Sequence, residues 1–123
     1  MPRSTILIVE DEPKISHLLR DYLQQAGYET RESLNYEQIQ GWVAQEEINL
    51  ILLDWMLPGM SGLEILSSLR ANPATEALRV LMLTAKGQGR DREAAERAGV
   101  SAFMSKPFSN AEMRAQVRAL MEG

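Results

Sequence analysis

Residues 50–62 read LILLDWMLPGMSG. Four aliphatic residues, Leu50 to Leu53, run straight into the carboxylate of Asp54. An apolar run of this kind, bounded by turn residues, reads as a strand buried on both faces. Pro58-Gly59 then turns the chain, and Ser61-Gly62-Leu63-Glu64 has the spacing of a capping box that opens a helix. A buried strand that stops on a carboxylate poses a physical problem. An isolated carboxylate in an apolar setting is costly unless it is paired or coordinates a metal.

The same strand-then-helix pattern extends in both directions. Thr5-Ile6-Leu7-Ile8-Val9 is a second continuous apolar run, followed by Pro13 behind the possible caps Asp11 and Glu12. Ile15, Leu18, Leu19, Tyr22, Leu23 and Ala26 keep helical spacing, and Gly27 closes that helix. Tyr28 to Glu32 reads as a weak strand. Asn35 with Gln38 opens a helix whose inner face is Ile39, Trp42 and Val43. After the helix carried inward by Leu63, Leu66 and Leu69, Arg79 to Thr84 is a fourth strand. Ala94, Ala95 and Ala98 give the next helix a shallow apolar stripe. Ala102 to Ser105 is a short fifth strand, and Ser109-Asn110-Ala111-Glu112 caps a last helix carrying Met113, Val117 and Leu120. Strands alternating with helices predict an α/β chain with a parallel sheet covered on both faces.

Composition narrows the function classes. The chain has 123 residues, 45% hydrophobic and 24% charged, which suits one compact globular domain. It has no cysteine, so disulfides and thiolate metal sites are excluded, and an intracellular place is the natural expectation. The short apolar run near the N-terminus ends in acids, so it reads as neither signal peptide nor membrane span. A net charge of −4 argues against non-specific nucleic-acid binding by this domain.

In an open α/β sheet, ligands bind beyond the carboxyl ends of the strands. The first strand ends in Glu10-Asp11-Glu12, the third in Asp54, the fourth in Thr84-Ala85 and the fifth in Lys106-Pro107. Any one of these features alone is ordinary surface chemistry. Together they bring carboxylates, a hydroxyl and an ammonium to one rim. Clustered carboxylates repel unless a cation intervenes, and with oxygen donors and no His or Cys nearby that cation is expected to be Mg²⁺. Asp54 is then the candidate nucleophile toward phosphorus, giving an aspartyl phosphate. Thr84 is the candidate donor to a phosphoryl oxygen and Lys106 the balancing cation.

The motifs ILIVEDE, LILLDWMLPGMSG, LMLTAKG and SKPFS, in this order and spacing, resemble the receiver domain of two-component response regulators of the CheY-like superfamily. The match covers nearly the whole chain, read as a single receiver domain over 1–123, and its motifs are nearest to OmpR/PhoB-type receivers. The resemblance implies a flavodoxin-like three-layer (βα)5 sandwich with sheet order 2-1-3-4-5. It implies Mg²⁺ held by Asp11, Asp54 and the backbone carbonyl of Met56, with Glu10 acting through water. It also implies a cis Lys106–Pro107 bond, with Pro107 a structural residue. Asp54 would take its phosphoryl group from a histidine kinase or phosphotransfer protein. Thr84 and Phe103 would form a switch that alters the face of helix 4, strand 5 and helix 5, where an output protein or domain docks. Met56 and Lys86, two residues beyond Asp54 and Thr84, would tune dephosphorylation. Such a chain is a cytoplasmic signalling switch that catalyses only its own phosphorylation and slow dephosphorylation.

Receivers of winged-helix transcription factors usually dimerise through cross-subunit charge pairs. Arg92 with Glu112 keeps one pair; Ala102 and Gln116 lack another, and Arg90 stands where an acid is common. The expectation is a monomer or a weak phosphorylation-dependent dimer. A haloacid-dehalogenase-like phosphatase would want a second Asp where Met56 stands. A flavin-nucleotide binder would want a phosphate loop where Glu10, Asp11 and Glu12 stand. A receiver fold kept only as a scaffold would not need the full set of Glu10, Asp11, Asp54, Thr84 and Lys106. His17 reads as a surface residue, Gly87-Gln88-Gly89 as a plain loop, and Trp42 and Trp55 as packing.

Overall fold

The computed structural model describes residues 4–85 and 89–122. The elements run β1 (Thr5–Val9), α1 (Pro13–Gln25), β2 (Glu29–Ser33), α2 (Tyr36–Gln45), β3 (Leu50–Asp54) and α3 (Gly62–Ala71). They continue with β4 (Val80–Ala85), α4 (Gly89–Arg97), β5 (Ala102–Lys106) and α5 (Asn110–Glu122). The five strands are parallel and lie in the order β2-β1-β3-β4-β5. This is the flavodoxin-like (βα)5 sandwich expected from the sequence. The Lys86-Gly87-Gln88 loop and the side chain of Arg90 lie outside the described residues.

The sheet divides the core into two layers. Leu7, Val9, Ile51, Leu53, Val80 and Met82 face Ile39 of α2, Ile65, Leu66 and Leu69 of α3, and Ala95 of α4. Ile6, Ile8, Leu50, Leu52, Leu81 and Leu83 face Leu19 and Leu23 of α1 and Met113 and Val117 of α5. This alternation is the period of two that a strand imposes. Fully burying each such side chain contributes about 1.5–3 kcal/mol, so β1 and β3, buried at every position, anchor the sheet. Trp42 is half-buried and Trp55 buried in the first layer, and His17 is exposed, as their sequence reading held.

Three helices carry the expected caps. Asn35 accepts from the Gln38 amide at 2.9 Å while the Gln38 side chain accepts from the Leu34 amide at 2.7 Å. Ser61 Oγ accepts from the Glu64 amide at 3.2 Å, and Ser109 Oγ accepts from the Glu112 amide at 3.0 Å. The start of α1 departs from expectation. Glu12 occupies the cap position but makes no side-chain cap, and Asp11 turns toward the carboxylates of the rim. Glu is a poor cap type, and Pro13 at the first helical position has no N–H to satisfy.

The turn after β3 is tight. Gly59 has a φ of +83°, which Gly adopts without a Cβ clash. The Gly62 amide donates to the Trp55 carbonyl at 2.9 Å, closing the loop onto the strand end. A Cβ on Gly62 would lie 2.4 Å from the Asp54 carbonyl oxygen and 2.9 Å from the Trp55 Cα. Both neighbours are backbone and cannot rotate away. Gly62→Ala should therefore destabilise the fold by about 1–3 kcal/mol, read as a lower urea midpoint at unchanged m-value; a parent-like midpoint would show that the turn relaxes freely.

Candidate functional site

Strand ends assemble the site. Glu10 follows β1, Asp54 ends β3, Thr84 lies at the end of β4, and Lys106 ends β5. Glu10, Asp54 and Thr84 are buried, at 3%, 4% and 3% exposure, whereas Asp11 is exposed. The Lys106 ammonium donates to Glu10 Oε1 at 2.8 Å and to Asp54 Oδ1 at 3.1 Å. The Met56 amide also donates to Asp54 Oδ1, at 3.3 Å, and the Glu12 amide donates to Glu10 Oε2 at 3.4 Å. The Lys106–Pro107 bond is cis, as the resemblance implied.

Alternation along the strands assigns sides. Glu10, Asp54 and Lys106 follow Val9, Leu53 and Ser105, so they fall on the α1/α5 side of the sheet. Thr84 falls on the opposite side with Met82, the register partner of Phe103. Thr84 and Phe103 thus share a face, one diagonal step apart across the β4–β5 pair.

Burial and charge together explain the titration. Burial, with Asp54 alongside, pushes the Glu10 carboxyl up from 4.5 to about 7, against the opposing pull of Lys106. Burial works to lower the Lys106 pKa, but its hydrogen bonds to Glu10 and Asp54 outweigh this and raise it above 10.5. Among the described residues the cluster brings three carboxyl groups to one ammonium.

The donor chemistry fits a hard divalent cation. Carboxylate oxygens of Glu10, Asp11 and Asp54 all lie within 4.8 Å of one another, with no nitrogen or sulfur ligand among them. Met56 is 66% exposed at the mouth of this cluster, two residues beyond Asp54. Lys86 lies outside the described residues.

A family model for the response regulator receiver domain matches residues 6–118. The chain belongs to that family. As a receiver domain it is part of the two-component response regulators. It is 38% identical over 121 residues to the phosphate regulon transcriptional regulatory protein PhoB of Pseudomonas aeruginosa, covering 98% of this chain and 53% of that protein. The receiver thus spans about half the length of the curated relatives it matches. A crystal structure from Chloroflexus aurantiacus J-10-fl superposes with a TM-score of 0.93 at 30% identity, covering 99% of this chain and 100% of that one. The receiver domain of sensor histidine kinase PA1611 from Pseudomonas aeruginosa PAO1, with a magnesium ion coordinated in its active-site cleft, gives 0.88 at 25% identity over 99% and 100%. Among the described residues no helix is long and apolar enough to cross a membrane.

Two contacts escaped the sequence reading. Gly62 abuts the backbone of Asp54, and its only trace in the sequence is a poor helix former placed in the first turn of a helix. The Arg92 guanidinium lies over the Phe103 ring, 4.8 Å from its centroid, where the sequence offered Arg92 only as a dimer cation.

The raised Glu10 pKa has a definite sign. Between pH 4.5 and about 7 the folded, metal-free chain keeps a proton on Glu10 that the unfolded chain releases. Stability then falls as pH rises through that window. In EDTA the urea midpoint of the parent should fall across it more steeply than that of Glu10→Gln; equal slopes would reject the assignment to Glu10.

Proposed function

We propose that residues 1–123 act as one phosphorylation-controlled receiver unit in which Asp54 accepts a phosphoryl group from a histidine kinase or a phosphotransfer protein. The observation that carries this reading is the Lys106 ammonium held between Glu10 and Asp54. It sets a positive charge 3.1 Å from the Asp54 carboxylate at the end of a buried strand, the oxygen nucleophile that would attack phosphorus. In the transfer, a P–O bond forms to Asp54 as the donor's P–N bond breaks and the imidazole departs. Thr84 donates a hydrogen bond to a phosphoryl oxygen, and Lys106 stays beside the charge that Asp54 gains.

Asp11, Asp54 and the Met56 carbonyl would hold Mg²⁺ directly, with Glu10 acting through water. When bound, the ion supplies positive charge against the clustered carboxylates and the incoming phosphoryl oxygens. Little else is asked of the protein beyond positioning and charge neutralisation.

The response is a population shift. Thr84 moves toward the phosphoryl group, space opens behind it, and the Phe103 ring turns inward. The α4/β5/α5 face then changes toward an output domain or protein. Ala102 and Gln116 leave that face short of one cross-subunit charge pair, which favours a monomer or a weak phosphorylation-dependent dimer. The domain works in the cytoplasm, touches no nucleic acid itself, and catalyses only its own phosphorylation and slow dephosphorylation.

Incubation with acetyl phosphate and Mg²⁺ should label the parent and leave Asp54→Ala unlabelled, and labelling of that variant would overturn the nucleophile. Exposed Met56 and long Lys86 are expected to hinder the water that hydrolyses the acyl phosphate. Met56→Asn and Lys86→Ala should each lose label faster than the parent in a chase; unchanged decay in both would remove them from this role.

A further inference from the structure

The contact between Arg92 and Phe103 has no place in the phosphoryl chemistry. Arg92 is an exposed residue of α4, and its guanidinium sits 4.8 Å from the centroid of the half-buried Phe103 ring on β5. Among the described residues no carboxylate lies within salt-bridge distance of Arg92, so the ring is the partner the structure gives this cation. The same helix is lightly held, with Ala95 its one residue in the buried core among those described. A contact from α4 to β5 therefore weighs more here than it would on a well-packed helix.

We propose that Arg92 is a latch on the Phe103 ring, a positioning residue that holds the receiver in its resting arrangement. The inference rests on the switch reading of Thr84 and Phe103. Phe103 lies one diagonal step from buried Thr84 on the same sheet face. A ring that turns toward the space behind Thr84 leaves the surface. An arginine at the surface cannot follow without giving up its water, and desolvating an unpaired cation is costly. The cation–π contact therefore belongs to the half-buried ring position seen here and opposes a turn further inward. Phe103 has no phenolic hydroxyl, so the face of its ring is the feature a cation can grip. At an exposed site such a contact shifts a two-state ratio by roughly two- to fivefold.

The latch predicts that removing the cation primes the switch without touching the rim. The chain has two phenylalanines, Phe103 and Phe108, so ring-¹³C phenylalanine gives two assignable sets of NMR signals. Beryllium fluoride with Mg²⁺ serves as the phosphoryl mimic. In Arg92→Ala the Phe103 signals should already lie part-way toward their mimic-bound position before any mimic is added. The mimic titration midpoint should fall roughly two- to fivefold. Arg92→Lys, which keeps a cation over the ring, should stay close to the parent. Parent-like Phe103 signals and midpoint in Arg92→Ala would overturn the latch, as would an equal fall in Arg92→Lys. If the parent binds the mimic while its Phe103 signals stay fixed, the switch reading fails and the latch falls with it. If the parent does not bind the mimic, the failure lies earlier, in the phosphoacceptor site, and removes both.

Discussion

The Lys106 ammonium, hydrogen-bonded to Glu10 and Asp54, is the interaction on which the remaining architecture turns. It joins residues 96 and 52 positions apart in the chain. In the sheet order, β4 lies between β5 and β3, and β1 lies beyond β3. Neighbouring strands are about 4.8 Å apart, so an ammonium on β5 meets both acids only because all three side chains lean together at the strand ends. A long, unbranched, rotatable cation is the side chain that suits this reach. The parallel topology is thus what makes the charge balance possible, and the charge balance is what lets buried carboxylates remain there.

The two flanks of Asp54 are built to different stiffness. Toward α3, the Gly62 amide is tied to the Trp55 carbonyl, and Gly62 leaves no room for a methyl beside the Asp54 peptide. Ile65, Leu66 and Leu69 then bury that helix against the sheet. Toward α4, the helix carries alanines at its inner positions, with Ala95 fully buried and Ala94 and Ala98 half-buried. Rigid support on one side holds the Asp54 peptide in place. Lighter packing on the other holds α4 less firmly against the sheet.

Much of this was legible in the sequence. Apolar runs such as Ile6–Val9 and Leu50–Leu53 specify buried parallel strands, and Asn35, Ser61 and Ser109 mark helix starts that the structure keeps. Even the edge strand was visible, offset by one residue because Tyr28 packs beneath the α1 side and Ser33 completes the ladder with Val9. The rim residues could be gathered because each follows directly on an apolar strand, so strand order alone brings them together. What the sequence concealed depends on approach distances. Glu12 stands at the cap position without capping, because Glu is a poor cap type, and Asp11 lies instead beside Glu10 and Asp54. The Gly62 contact requires the loop path, and the Arg92–Phe103 contact requires the rotation of α4 about its axis, which a shallow alanine stripe does not encode.

The alternation that separates Asp54 and Lys106 from Thr84 and Phe103 has an evolutionary consequence. Glu10, Asp54 and Lys106 fall on the α1/α5 side of the sheet, and Thr84, Phe103 and Ala95 fall on the other. A duplicated copy of such a chain can change at exposed α4 positions such as 92 and 93, while the residues that hold its charges stay as they were.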